Sequence, residues 1–145
     1  MTAFGVSLAG CGRTITAAEV QTLGKRPFPG RTRAEVVKAS VIALRTLGYE
    51  VIVSDEATGQ VKTAPKQMVV TASGSANTAV AVSNDLAWML EVSEAPDGVV
   101  VQATPRATSG GQSYDGPYNA DYMEKVIADL FKEIQSNLPA GAPAT

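Results

Sequence analysis

Residues 32–63 read TRAEVVKASVIALRTLGYEVIVSDEATGQVKT, and this stretch predicts a helix followed by a β-hairpin. Thr32 and Glu35 fit a capping box, in which the threonine hydroxyl and the glutamate carboxylate each accept from the other residue's amide. Apolar residues then recur at helical spacing as far as Leu47. Gly48 supplies the left-handed residue with which many helices end. We therefore predict a helix from Thr32 to Leu47.

Alternating β-branched residues after this helix predict antiparallel hairpins. Residues 49–54 and 60–64 are joined by turn residues that end in a glycine, and Pro65 ends the second strand because proline cannot donate to a ladder. Residues 86–92 and 99–104 form a second apolar pair around the turn sequence EAPDG. Both pairs indicate strands that are neighbours in one sheet.

The middle of the chain, residues 68–84, admits two interpretations. The stretches at 68–71 and 78–82 resemble strands on either side of a polar loop, which predicts a third hairpin with a mobile tip. Because the segment carries no charge, it is alternatively a small apolar finger that contacts a partner or lipid.

A second helix closes the predicted domain. Asp121 and Glu124 fit another capping box, and an apolar stripe runs from Met123 to Leu138 before Pro139 stops it. The order helix, hairpins, helix predicts an α+β fold. We expect an antiparallel sheet of about four to six strands, with an N-terminal and a C-terminal helix packed on one face.

Alternation within the predicted strand at 86–92 assigns its side chains to two faces. Leu86, Trp88 and Leu90 share the face expected under the helices, and Met89 belongs to the opposite, open face. An open sheet face with a methionine and neighbouring threonines is a candidate surface for a protein partner or an acyl chain. Met89 is therefore a candidate partner-binding residue.

Composition argues against most catalytic chemistry. The 145 residues include no histidine and one cysteine, and the formal net charge is −2. Imidazole triads, histidine metal sites and internal disulfides are therefore excluded, and a nucleic-acid partner is disfavoured. We expect no metal and no cofactor. A Ser-Lys or paired-carboxylate enzyme stays open on composition, with Asp55, Glu56, Lys62 and Lys66 as the available groups.

The loop at 107–119, ATSGGQSYDGPYN, matches neither a phosphate-binding loop nor a nucleophile elbow. It is predicted to be a flexible connection to the last helix. Its tyrosines, Tyr114 and Tyr118, make it alternatively a modest protein-contact surface.

The cysteine, Cys11, ends the tetrapeptide LAGC, which resembles a bacterial lipobox. The resemblance implies that residues 1–10 are a partial signal peptide and that Cys11 becomes an acylated N-terminus bearing diacylglycerol and palmitate. Several acyl chains anchor a protein stably, where one chain binds only marginally. Gly12 in place of an aspartate after the cysteine implies the outer membrane, facing the periplasm.

Residues 11–31 are predicted to be a lipidated tether, followed by a single α+β domain at 32–138 and a disordered tail at 139–145. Phe28 is surrounded by four basic residues: Lys25, Arg26, Arg31 and Arg33. In one interpretation this cluster contacts anionic headgroups, each base contributing about 1 kcal/mol. In the other, it is a solvated linker whose Phe28 packs onto the domain.

The helix at 32–47, the strand GYEV and the hairpin pattern D-x-x-x-G-x-V-x-T from Asp55 to Thr63 resemble domains of small bacterial envelope lipoproteins. These include the domains of BamC, a lipoprotein of the outer-membrane β-barrel assembly machine. The resemblance implies the fold type and the envelope setting, and it supplies no catalytic residue.

Three functions follow from these observations. The first is a membrane-anchored lipoprotein with a non-catalytic structural, assembly or protein-binding role among envelope proteins. The second is a periplasmic carrier that holds a hydrophobic ligand between sheet and helices, and the third is a small enzyme.

Overall fold

The computed structural model describes residues 13–73 and 80–140, which form an α+β fold. The helices in this part of the chain are α1 (Ala17–Leu23), α2 (Arg33–Thr46) and α3 (Ala120–Ser136). Its strands are β1 (Thr14–Ile15), β2 (Lys25–Pro29), β3 (Val51–Asp55), β4 (Gln60–Thr63), β5 (Lys66–Ser73), β6 (Val80–Ala95), β7 (Gly98–Ser109), β8 (Gln112–Tyr114) and β9 (Tyr118–Asn119). Cys11, the predicted signal peptide, the tip of the third hairpin and residues 141–145 of the predicted tail lie outside the described residues.

One antiparallel sheet organises the fold. Seven strands belong to it, in the order β2-β7-β6-β4-β3, with β5 also paired to β6 and β8 to β7. β1 and β9 form a separate two-stranded ribbon. The predicted hairpins are confirmed as β3–β4, β5–β6 and β6–β7. The sheet exceeds the predicted four to six strands because β2 and β8 form in segments that were predicted to lack regular structure.

The two longer helices pack on one face of the sheet, as predicted. Leu86, Trp88 and Leu90 lie beneath them and are almost completely buried, together with Leu130 and Ile134 of α3. Alternation leaves the opposite face of the sheet uncovered by these helices. We call it the open face.

Of the two helix caps predicted from the sequence, one is confirmed and one is wrong. Thr32 accepts from the Glu35 amide at 3.1 Å and the Glu35 carboxylate accepts from the Thr32 amide at 2.9 Å, so the capping box of α2 is confirmed. The box predicted for α3 at Asp121 and Glu124 is wrong. Asn119 is the N-cap, and its Oδ1 accepts from the Tyr122 amide at 2.8 Å.

The predicted tether is wrong over residues 14–29, which belong to the folded domain. β2 pairs with β7 along its whole length. The side chain of Phe28 is 4% exposed, and its ring centroid lies 6.2 Å from that of Phe131. The packing of Phe28 onto the domain is therefore confirmed, but the solvated linker of that interpretation is wrong, because Phe28 lies in a strand. β2 tolerates Pro27 and Pro29 because it is an edge strand, with a free side that needs no donors.

Candidate functional site

A concavity on the open face brings together the three residues predicted to bind a partner. Met89 from β6, Tyr114 from β8 and Tyr118 from β9 all line it, and its volume is about 460 Å³. We call it the open-face concavity. Tyr114 is 41% exposed, whereas Tyr118 is largely buried. Residues chosen from separate parts of the sequence thus share one surface.

Strand register builds the floor of the open-face concavity. Lys62, Met89 and Thr104 are direct neighbours across β4, β6 and β7, where strands lie about 4.8 Å apart. In the next row Ala87 lies opposite Arg106. Alternation therefore places these side chains on one face of the sheet. Lys62 and Arg106 were not among the predicted site residues, because the sequence does not show which strands pair.

Neither cation of the concavity forms an ion pair with a residue in the described part of the chain. Within the described parts of the chain, neither Lys62 nor Arg106 makes a hydrogen bond or an ion pair. The acidic side chain among the lining residues is Asp115, which follows β8. Ile52, 59% exposed on β3, adds an apolar side chain to the wall. The surface therefore offers positive charge beside apolar groups.

A second cavity of about 440 Å³ lies at the N-terminal end of α3, and we call it the helix-end cavity. Its apolar lining includes Leu86, Tyr122 and Met123. Tyr114 and Tyr118 line both this cavity and the open-face concavity. The two rings meet edge to face, with centroids 5.5 Å apart.

Hydrogen bonds fix the tyrosine pair. Tyr118 Oη donates to the Tyr114 carbonyl at 3.0 Å, and Tyr114 Oη donates to the Pro117 carbonyl. Burial raises the pKa of Tyr118, and the nearby charge of Asp115 raises it further. Burial also raises the pKa of Tyr122. Neutral phenols, which can donate hydrogen bonds, therefore border both cavities at neutral pH.

The segment 107–119 is a structured turn region, which corrects the prediction of a flexible connection. β7 continues to Ser109, Gly110 and Gly111 form the turn with φ of 60° and 85°, and β8 pairs back onto β7. Glycines at these two positions relieve the steric cost of positive φ. The alternative interpretation, a contact surface bearing two tyrosines, stays a prediction.

Two of the groups considered for catalysis, Asp55 and Lys66, form hydrogen bonds with the backbone. Asp55 Oδ1 accepts from the Ala57 amide at 2.9 Å, and this hydrogen bond lowers the pKa of Asp55. Lys66 Nζ donates to the Leu47 carbonyl at 2.6 Å. In residues 13–73 and 80–140, no three His, Cys, Asp or Glu side chains are grouped to hold a metal ion.

Most of the predicted membrane-contact cluster also has internal partners. The Arg26 guanidinium lies 4.3 Å from the centre of the Phe131 ring, and Arg31 donates to the Pro139 carbonyl at 2.7 Å. Arg33 donates to the Ala57 carbonyl at 2.7 Å. Lys25 is exposed at the start of β2. These contacts compete with headgroup binding, so membrane contact by this cluster stays a prediction.

The chain matches no family model and no curated protein, but it has some similarity to solved structures. Among solved structures, a DUF4468 family protein from Bacteroides ovatus is similar with a TM-score of 0.45 and 14% identity, over 83% of this chain and 86% of that chain. Within the described residues, no helix combines the length and hydropathy needed to cross a bilayer.

Proposed function

We propose that this protein is a lipid-anchored, non-catalytic binding protein of the bacterial cell envelope. Cys11 is its lipid attachment site, and the open-face concavity is its binding surface. The observation that carries the binding role is that Met89, Tyr114 and Tyr118 line one concavity. The lipobox resemblance at residues 8–11 supports the anchor, and Gly12 in place of an aspartate supports an outer-membrane location facing the periplasm.

The chemistry of this surface suits a partner from the envelope. Tyrosine and methionine are enriched in protein interfaces, because they supply a large contact area. Tyr114 and Ile52 are both substantially exposed at the concavity. Such residues gain most from being covered, at about 25 cal/mol for each Å² of apolar surface removed from water. An assembly or structural role follows from that contact.

Palmitate labelling tests the anchor. We expect the full chain, expressed in a bacterium with a lipoprotein pathway, to incorporate labelled palmitate and to fractionate with the outer membrane. A Cys11→Ser variant should lose the label, and a Ser7→Ala variant, which preserves LAGC, should keep it. An unlabelled cytosolic product with a free Cys11 thiol would overturn the anchor.

Crosslinking in intact envelopes tests the binding surface. We expect Met89→Asp and Tyr114→Ala to abolish the crosslinks that the wild-type chain makes to an envelope protein. Ile42→Ala is the matched control, because Ile42 is an exposed apolar residue on α2. If the crosslinks survive both changes in the concavity, the partner binds elsewhere.

A second candidate function, carriage of a hydrophobic ligand, is favoured by the helix-end cavity. The middle of the core is filled by fully buried side chains such as Leu90 and Leu130. The cavity at the end of α3, however, has a volume in the range of small-molecule sites. Native mass spectrometry of protein isolated from envelopes tests this function. A carrier should arrive with a bound apolar molecule, and a Met123→Asp variant should arrive without it.

A further inference from the structure

Positive charge and apolar surface meet in the open-face concavity. Lys62 is partly buried and Arg106 is exposed, and both make no hydrogen bond or ion pair to any described residue. Elsewhere in the molecule, Arg31 and Arg33 bind backbone carbonyls and Arg13 binds Glu124. The two cations of the concavity are therefore free to bind an anion from outside.

Hydroxyl groups accompany the cations. Thr104 and Thr108 share the face of Arg106, two residues before it and two after it along β7. Ser113 on β8 lies directly opposite Thr108. Hydroxyls next to basic side chains are donors for a carboxylate, and hydrogen bonds to charged groups are stronger than neutral ones. These hydroxyls lie on the β7 side of the concavity, beside Arg106.

Apolar groups continue from this polar region. Met89 lies between Lys62 and Thr104 in one row of the sheet, and Ala87 lies opposite Arg106 in the next. Ile52 borders the same concavity and is mostly exposed. A ligand with a charged head can therefore lay a hydrocarbon chain over Ala87, Met89 and Ile52.

The charge and size of the concavity indicate which class of anionic ligand fits it best. Its charged lining side chains are Lys62, Arg106 and Asp115, a net charge of +1. This balance matches a monoanion better than a phosphate dianion. The volume of about 460 Å³ is that of a small-molecule site, so a single acyl chain can occupy it.

We propose that the open-face concavity binds a single-chain fatty acid, with the carboxylate held by Lys62 and Arg106 and the chain lying over Met89 and Ile52. This inference rests on the binding surface named in the proposed function and is independent of the anchor at Cys11. It assigns that surface a ligand class, and it places the ligand on the face opposite α2 and α3.

Calorimetric titration of decanoate into the full chain tests the proposal. The protein carries Cys11→Ser, so that its own acyl groups do not compete, and the titration stays below the micelle concentration. We expect saturable one-to-one binding. Removing both cations, with Lys62→Gln and Arg106→Gln, should weaken binding about tenfold or more, because each charged contact contributes substantially to the affinity. Met89→Asp should also weaken it.

Matched controls isolate the head group and the charge. Arg45→Gln with Lys132→Gln removes the same charge from two exposed positions on α2 and α3, and it should leave decanoate binding unchanged. Decanol and acetate, which lack the head group and the chain respectively, should both bind far more weakly. Added salt should weaken decanoate binding to the wild-type concavity, and this test requires no variant to fold.

Several outcomes would overturn the proposal. Absence of saturable decanoate binding, equal binding by the Lys62 and Arg106 double variant, or equal binding of decanol would each do so. An acidic protein segment would be indicated instead if acetyl-Leu-Glu-Leu-amide bound as tightly as decanoate. Palmitate labelling and envelope crosslinking have separate readouts, so failure of the ligand and failure of the proposed function are distinguishable.

Discussion

Replacing Gly59 with alanine should destabilise the protein much more than replacing Gly30, although both glycines have positive φ. Gly59 lies in the β3–β4 turn with φ of 79°. A Cβ at this position would lie 2.0 Å from the backbone oxygen of Val92 in β6. Gly30 has φ of 74°, and its Cβ would meet nothing within 4 Å. The pair therefore separates a steric clash from backbone strain.

The magnitude follows from these contacts. A left-handed conformation costs a non-glycine residue about 1 kcal/mol, and both variants bear that cost. In Gly59→Ala the backbone of Val92 must also move, which breaks the hydrogen bond from the Val92 amide to the Gly59 carbonyl at 2.8 Å. Losing that bond and displacing a buried strand add about 2 kcal/mol. We expect a total loss of about 3 kcal/mol for Gly59→Ala and about 1 kcal/mol for Gly30→Ala.

Urea denaturation provides the assay, with the fluorescence of Trp88 as the signal. Trp88 is 2% exposed, so unfolding transfers it from the core to water. With a slope of about 1–3 kcal/mol per M, the midpoint should fall by about 1–3 M for Gly59→Ala and by one third of that for Gly30→Ala. Equal shifts in the two variants would refute the reasoning, because the approach of Val92 would then carry no cost.

Three further predictions concern the domain boundary, a cap and pH. Phe28→Ala should reduce the free energy of unfolding by about 3–5 kcal/mol in the same assay, because the Phe28 ring packs against Phe131. A negligible loss would instead support the prediction that residues 11–31 are a tether outside the domain. Thr32→Ala should cost about 1 kcal/mol through loss of the α2 cap, while Thr32→Ser should cost little. Burial raises the pKa of Tyr49 and of Tyr122, so the unfolded chain loses its phenolic protons first. Stability should be unaffected by these groups below about pH 10 and should fall above it, and Tyr49→Phe should flatten the decline.

Local signals made α2 and the first hairpin predictable. The capping box at Thr32, the helical spacing and the turn at Gly59 each operate within a few residues, and all three agree. β2 was missed because two prolines interrupt it and because its strand character depends on β7, a partner distant in sequence. The start of α3 was misplaced because Asn119 also ends β9. Both β2 and β9 form by pairing with segments that are distant in the sequence, and local patterns do not show such pairing.

The candidate site was likewise predictable only where local sequence patterns determine it. Alternation alone assigned Met89 to the open face, and the two tyrosines stood out in a loop of small polar residues. Lys62 looks like an ordinary polar strand residue when its hairpin is considered alone. It shares the open face with Arg106, two strands away, because β6 pairs with both β4 and β7. That strand order is a property of the whole sheet, so the positive charge of the concavity emerges only with the fold.

The β1–β9 ribbon connects the proposed anchor to the proposed ligand site. Arg13 forms ion pairs with Asp121 and Glu124, but these side chains are largely exposed, and such pairs contribute about 0–1 kcal/mol. Backbone pairing therefore contributes more than these ion pairs to holding residues 13–15 against the domain. The Ala120 amide donates to the Arg13 carbonyl at 2.8 Å, and Ile15 lies opposite Tyr118 in the ribbon. Tyr118 is itself a wall of the open-face concavity. At most three Cα–Cα steps of about 3.8 Å separate Cys11 from Thr14, where this ribbon begins. If Cys11 is acylated as proposed, covalent geometry therefore keeps the ribbon, and with it Tyr118, near the lipid anchor.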